Sequence, residues 1–96
     1  MAKSILKEKS DQFAIRTVKL NQYLRDERRE FVLSKQILRS GTAIGALIRE
    51  AEFGQLRADF RNKMYIALKE ANETDYWLNL LKDTNFIGEK EFKSIF

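Results

Sequence analysis

Basic side chains are the residues whose type and spacing in this sequence most suggest chemistry, and that chemistry is the binding of phosphates. Residues 1–49 contain 11 Lys and Arg against 5 Asp and Glu, a net charge of +6, whereas residues 50–96 contain 7 against 9, a net charge of −2. A nucleic acid needs such clustered charge, because each neutralised phosphate releases counterions. Lys and Arg are also ordinary residues of solvated helix faces. The candidates for nucleic-acid contact are Lys7, Arg16, Lys19, Arg25, Arg28, Arg29, Lys35 and Arg39.

Glu70 and Glu73 are the carboxylate pair most similar to a metal or acid–base site, since they lie three residues apart on one predicted helix. A di-iron site in a helical bundle also needs the histidines of Glu-x-x-His pairs, and the sequence contains neither His nor Cys. Glycoside chemistry by two carboxylates requires a deep cleft, which a small bundle rarely has. We therefore expect the pair to form salt bridges with Arg39 or Arg49. We expect no enzyme activity, catalytic residue, metal, cofactor or small-molecule substrate.

Two glycines and two adjacent aromatic residues are predicted to serve packing. Gly41 and Gly45 lie four residues apart inside a predicted helix, where a glycine costs about 1 kcal/mol relative to alanine. Another backbone, from the same chain or another, is therefore expected to come close there. Tyr76 and Trp77 point in different directions around a helix, so one is expected in the core and the other at a rim or interface, with stacking on a nucleic-acid base as the alternative. The candidates for oligomer contact or packing are Gly41, Gly45, Tyr76, Trp77, Phe92 and Phe96.

The elements that must position these residues are all predicted to be helices. The sequence has no Pro and only four Gly, so long helices meet few interior breakers. Apolar residues recur with the period of an α-helix in three long segments and one short segment. Four helices are predicted, over 4–25, from 31 or 34 to 52, from about 55 to 82 or 83, and over 89–96.

The connections and lengths of these helices predict the architecture. Residues 25–30 are predicted to form a solvated turn, Gly54 to end the second helix in the left-handed conformation, and residues 84–88 to form a turn with an apolar plug. A third helix of roughly 40 Å needs partners of similar length beside it. We therefore predict one all-α domain over 1–96, an up-down four-helix bundle. Its short fourth helix leaves one seam incomplete unless another subunit covers it.

The compartment predicted from the sequence is the cytoplasm. The first residues carry charges every two or three positions and contain no apolar segment typical of a signal peptide. No window approaches the run of about 18 apolar residues that a membrane-spanning helix needs. We therefore expect no membrane association.

Two segments resemble a known family when they are taken together: FVLSKQILRSGTAIGALIREAE (31–52) and ADFRNKMYIALKEANETDYWLNLLKDTNFI (58–87). They are similar to bacterial four-helix-bundle proteins encoded in intervening sequences of 23S rRNA genes, and the similarity spans residues 13–92. The resemblance implies a left-handed bundle that forms a homo-oligomer, with a pentameric ring as the expected form. It extends to the accessory variability proteins of diversity-generating retroelements, which bind nucleic acid and a reverse transcriptase. Members usually carry a longer final helix.

Two functions are compatible with these observations. The leading hypothesis is a non-enzymatic, oligomeric bundle associated with RNA or another nucleic acid through its basic first and second helices. The alternative is a protein-interaction scaffold that does not bind nucleic acid and docks a partner protein through its apolar seam or rim.

Overall fold

The chain forms four consecutive helices in a computed structural model, which describes residues 2–54 and 56–95, and the side-chain surroundings of residues 5–54 and 56–93. No strand occurs in these ranges. The predicted fold class is confirmed: three long helices pack together with a short fourth one as a bundle. The helices are α1 (Ala2–Asp26), α2 (Leu33–Glu52), α3 (Arg57–Asp83) and α4 (Glu89–Ile95).

The helix α2 is the central element, and α1 and α3 both pack against it. Thr17 of α1 faces Gly41 of α2, and Ser10 faces Gly45, so these two helices are antiparallel. Within the described ranges the Cα atoms of α1 and α3 stay more than 8 Å apart, which leaves a seam between them. The short α4 contacts both α1 and α3 at one end of this seam.

The pairing of α2 with α3 is also antiparallel and includes buried polar contacts. The hydroxyls of Ser40 and Thr74 are 2.9 Å apart and hydrogen-bonded in the interior. Toward the other end of the helices, Lys63 Nζ lies 2.7 Å from Glu50 Oε1. The interface therefore runs along most of α2 and fixes the rotation of α3 against it.

The largest apolar cluster lies at the end of the bundle that α4 covers. Ile87, in the connection before α4, is only 2% exposed and fills the space between the helix ends, which agrees with the apolar plug predicted for this turn. Burial of these side chains supplies the main driving force for folding at this end. No described helix is long and apolar enough to cross a membrane. The buried residues of the cluster are Leu20, Leu24, Ile37, Leu78, Leu81 and Ile87, with Phe13, Leu33, Trp77, Phe86 and Phe92 packed against them.

The prediction that Gly54 ends α2 in the left-handed conformation is wrong. Its φ angle is not positive. The amide of Phe53 donates to Glu50 O at 3.2 Å, and the amide of Gly54 donates to Ala51 O at 3.2 Å. These bonds span three residues, so the last turn tightens toward a 3₁₀ helix, which keeps φ negative and satisfies the terminal carbonyls without a left-handed residue.

A left-handed residue does end α3, and the turn after α1 contains another, Arg29, with a φ of 56°. Asn85 has a φ of 66°, its amide donates to Lys82 O at 3.0 Å, and the amide of Phe86 donates to Leu81 O at 2.9 Å. This is the Schellman arrangement, and it includes the usual apolar contact because Phe86 packs on the core cluster that contains Leu81. The motif turns the chain toward α4.

The two glycines of α2 lie where α1 approaches most closely. A Cβ atom on Gly41 would be 2.7 Å from Thr17 Cγ2 and 2.8 Å from Thr17 Oγ1. A Cβ atom on Gly45 would lie no closer than 3.5 Å to any atom of α1, the nearest being Ser10 O. The close contact of α1 with this part of α2 is therefore concentrated at Gly41, and the atoms that make it belong to the Thr17 side chain.

Candidate nucleic-acid interface

An open cleft lies between the C-terminal part of α1 and the N-terminal part of α2, and it has a volume of about 320 Å³. We call it the α1–α2 cleft. It includes cations from both helices, Arg25 and Lys35, and one aromatic residue of the intervening turn, Phe31. It is lined by Asn21, Arg25, Phe31, Ser34, Lys35 and Leu38.

The walls of the cleft are held in place by hydrogen bonds at the start of α2. Asn21 Nδ2 of α1 donates to Ser34 O at 2.9 Å, and this bond is buried. The Glu30 carboxylate accepts the amides of Leu33 at 3.1 Å and Ser34 at 2.8 Å, while Ser34 Oγ donates to Glu30 O at 2.8 Å. The otherwise unpaired amides of the first turn are thereby satisfied, and a negative charge sits at the positive end of the helix dipole. Arg25 and Lys35 are therefore carried on two helices joined by a fixed contact.

Positive charge and an exposed aromatic ring meet at the cleft. Among the described residues, no carboxylate lies within ion-pairing distance of Arg25 or Lys35, so their charges remain available to an external anion. Phe31 is 51% exposed, and the guanidinium carbon of Arg29 lies 5.4 Å from its ring centroid. Three of the predicted nucleic-acid contacts thus lie close together.

Arg28 has a different environment from its neighbour Arg29. Its guanidinium donates to Phe86 O at 2.8 Å and to Asn85 O at 3.1 Å, and lies 5.3 Å from the Phe86 ring centroid. It joins the turn between α1 and α2 to the turn before α4. We call this contact the Arg28 clasp.

Arg39 is occupied by the two carboxylates that the sequence singled out. Its guanidinium forms salt bridges with Glu70, at 3.2 Å, and with Glu73. The indole of Trp77 also donates to Glu73 at 2.9 Å. This hydrogen bond, followed by the one from Arg39, holds the pKa of Glu73 below its ordinary value, despite partial burial. The described residues contain no group of three acidic side chains placed to hold a metal ion.

The remaining basic candidates lie outside the α1–α2 cleft. Lys7 pairs with Asp11 at 3.8 Å, and Asp11 also accepts Arg49 at 3.1 Å, so Arg39 rather than Arg49 is the partner of the two glutamates. Arg16 and Lys19 are exposed on α1 and do not line the cleft.

The aromatic packing candidates have distinct environments. Tyr76 is 58% exposed, whereas Trp77 is half-buried against the core, and their ring centroids are 5.0 Å apart in an edge-to-face arrangement. Phe92 is half-buried, and Lys82 Nζ lies 4.5 Å from its ring centroid. Phe96 lies outside the described residues. Their use in contacts between subunits, like that of Gly41 and Gly45, stays a prediction.

The incomplete seam expected from the sequence is an open apolar groove between α1 and α3. Its volume is about 290 Å³. Its floor is formed by Ile44 and Ile48 of α2, and Lys9 and Asp75 stand at its sides. We call it the α1–α3 groove, and it is lined by Leu6, Lys9, Ser10, Phe13, Ile44, Ile48, Ala71, Thr74, Asp75 and Leu78.

Phe31 is the aromatic residue of the cleft, and it is not among the sequence candidates. In the sequence it marks only a possible start of the second helix. The sequence feature that could have identified Phe31 as a binding residue is its position, two residues after Arg29 and four before Lys35. An aromatic residue interleaved with cations is typical of nucleic-acid sites.

Comparison with known proteins identifies the family. A family model described as 23S rRNA-intervening sequence protein matches residues 2–96. A solved structure of a protein with unknown function from the S23 ribosomal protein family of Bacteroides thetaiotaomicron has 59% sequence identity and a TM-score of 0.97, covering 99% of this chain and 85% of that chain. The chain matches no curated protein. By both its sequence and its fold, this chain belongs to the 23S rRNA-intervening sequence protein family.

Proposed function

We propose that this protein binds RNA through the α1–α2 cleft and the basic surface around it, without catalysing a reaction. The observation that carries the proposal is the meeting of Arg25 and Lys35, neither of which forms an ion pair within the described ranges, beside the half-exposed ring of Phe31. Phosphates supply affinity for such a surface through counterion release. No cofactor, metal or small-molecule substrate is part of the proposal.

The choice of RNA as the nucleic acid follows from the family. Its description refers to intervening sequences of 23S rRNA, which makes structured RNA the first ligand to test. The cytoplasm is the compartment that this ligand requires. The uneven charge of the chain, +6 over residues 1–49 and −2 over residues 50–96, supports an RNA contact on the side of α1 and α2.

A homo-oligomer, with five subunits as the expected form, is part of the same proposal. Several large apolar side chains are strongly exposed on the single chain, including Phe53 at 84%, Val32 at 70% and Leu56 at 65%. Exposed apolar surface of this kind is typical of proteins that associate. A ring would also repeat the α1–α2 cleft and strengthen the positive field. Light scattering measures the subunit count.

The test is binding of labelled structured RNA, duplex DNA and single strands across a salt series, measured by fluorescence anisotropy. The double variant Arg25→Gln/Lys35→Gln should weaken binding and reduce the slope of log K against log salt by about 0.7 to 0.9 for each phosphate that is no longer neutralised. The matched control is Lys69→Gln/Lys90→Gln, which removes the same charge from exposed sites elsewhere. Equal losses in the two double variants would contradict an RNA site at the cleft.

A second candidate function is supported by the α1–α3 groove. Because α4 already fills one end of this seam as a helix, an amphipathic helix of a partner protein is the occupant that fits the remainder. The residues Lys9 and Asp75 would face opposite charges on that helix. A nuclease-treated pull-down should then lose its partner with Ala71→Glu, in the groove, and keep it with Ala46→Glu, on the exposed face of α2. Loss of the partner in both variants would exclude the α1–α3 groove as its specific docking site.

A further inference from the structure

We infer that the α1–α2 cleft receives one unpaired nucleotide, with its base on Phe31 and its phosphate beside Arg25 and Lys35, so that the protein selects single-stranded over double-stranded RNA. The inference rests on the proposed RNA-binding function and specifies the form of RNA that the same site takes.

The size of the cleft favours a single nucleotide. Its volume of about 320 Å³ is at the lower end of small-ligand sites, which span roughly 300–1,000 Å³. A duplex keeps its base faces inside its own stack and presents only phosphates, sugars and groove edges. A cleft with cations alone would bind either form. A cleft that also has an accessible ring gains from a base only when that base is unstacked.

Phe31 has the position that base stacking requires. It lies in the turn between two helices rather than in the core cluster, and half of its surface is exposed. Arg29 lies against the same ring at 5.4 Å. Bases stack on aromatic faces and on guanidinium planes, and this contribution tolerates any sequence because every base has a π face. The ring and the guanidinium together form a stacking platform beside the cations of the cleft.

The cations of the cleft come from both of the helices that the turn containing Phe31 connects. Arg25 comes from α1 and Lys35 from α2, and the buried bond from Asn21 to Ser34 holds these two helices together. Glu30 is the acidic residue closest in sequence to Phe31, and both of its carboxylate oxygens accept amides of the first turn of α2. Its charge is therefore partly offset by the positive end of the α2 dipole.

The test uses two probes of one sequence: a labelled 12-nucleotide RNA that contains only A and C and cannot pair with itself, and the same strand annealed to its complement. Phe31→Ala should weaken binding of the single strand by about 5- to 150-fold, the range for one stacked base, and change duplex binding less than twofold. Phe31→Trp should restore single-strand binding. The matched control is Tyr65→Ala, which removes an exposed aromatic residue of α3 and should change neither affinity. Circular dichroism verifies that each variant is folded.

The possible outcomes separate this inference from the proposed function. If the wild type binds with a steep salt dependence but Phe31→Ala affects both probes equally or neither, the nucleotide site is refuted and RNA binding by charge remains. If Arg25→Gln/Lys35→Gln lowers the salt slope and Phe31→Ala leaves that slope unchanged while lowering single-strand affinity, the inference is supported. If the wild type binds no RNA, both are refuted.

Discussion

The same substitution at two glycines one helical turn apart is expected to change stability in opposite directions. At Gly41 a new Cβ atom would overlap Thr17, approaching its Cγ2 atom to 2.7 Å. The Thr17 side chain is short, β-branched and 1% exposed, and its Oγ1 atom donates to Phe13 O at 2.8 Å, so it cannot rotate away without losing that bond. At Gly45 the new atom would be at least 3.5 Å from its neighbours, which is ordinary contact.

The expected change in the free energy of unfolding follows from two contributions, helix propensity and steric overlap. Replacing glycine by alanine inside a helix stabilises it by about 1 kcal/mol, and this gain applies to both positions. Overpacking a well-filled interface costs about 1–3 kcal/mol, and this cost applies only at Gly41. We therefore expect Gly45→Ala to raise the free energy of unfolding by about 0.5–1 kcal/mol and Gly41→Ala to lower it. Because the propensity gain cancels in the comparison, the difference between the two variants measures the steric cost of about 1–3 kcal/mol alone.

Urea unfolding followed by circular dichroism measures both variants, and one protein concentration must be used throughout because association would contribute to stability. The double variant Gly41→Ala/Thr17→Ala removes the overlapping atoms and should be more stable than the sum of the single variants predicts. Equal changes for Gly41→Ala and Gly45→Ala, or no coupling with Thr17, would refute the close approach of α1 and α2 as the reason for glycine at position 41.

Three further predictions concern the α4 end of the bundle and the paired carboxylates. Ile87→Ala should lower the free energy of unfolding by about 2–5 kcal/mol in a urea titration, because it empties a fully packed site, whereas Ile15→Ala at an exposed position of α1 should change it by less than about 0.5 kcal/mol. Asn85→Ala should cost roughly 1–2 kcal/mol in thermal unfolding, because the residue is left-handed, and Asn85→Gly should be nearly neutral; equal effects would contradict the assigned φ. The folded-state pKa of Glu73 is lowered, so its charge stabilises the protein above the ordinary glutamate pKa, and this contribution is lost as pH falls through the lowered pKa. The wild type should therefore lose more stability than Glu73→Gln between about pH 7 and pH 3 in urea titrations at each pH.

The helices were predictable because their signal is local. Apolar residues at helical spacing placed the ends of α1 and α2 within two residues. Two carboxylates on one face of a neighbouring helix predicted salt bridges with Arg39 or Arg49, and Arg39 is the residue that forms them. The end of α2 at Gly54 was mispredicted, since a glycine is compatible with both a left-handed cap and a tightened last turn. Which of these two endings forms depends on which carbonyls of the last helical turn remain unpaired, and the sequence does not show this.

For the α1–α2 cleft, the sequence predicted the basic part of the chain but not which residues come together. Sequence identifies Arg25, Arg28 and Lys35 as cations but does not show that Arg28 donates to carbonyls 57 and 58 residues further along the chain. Nor does it show which side of a helix faces a carboxylate of another helix, so Arg39 and Lys35 look equivalent in the sequence. Phe31 becomes a candidate only because its ring lies outside the core and next to Arg29.

The central position of α2 also has a consequence for how the chain folds. Since α1 and α3 each pack on α2, most helix pairing is between consecutive segments, and topologies of such low contact order fold in about microseconds to milliseconds. We expect that either helical hairpin can form first, because each pairs consecutive helices of the chain. The Arg28 clasp and the contact of α4 with α1 join distant parts of the chain. We therefore expect both contacts to form late in folding and to be lost early when the protein opens.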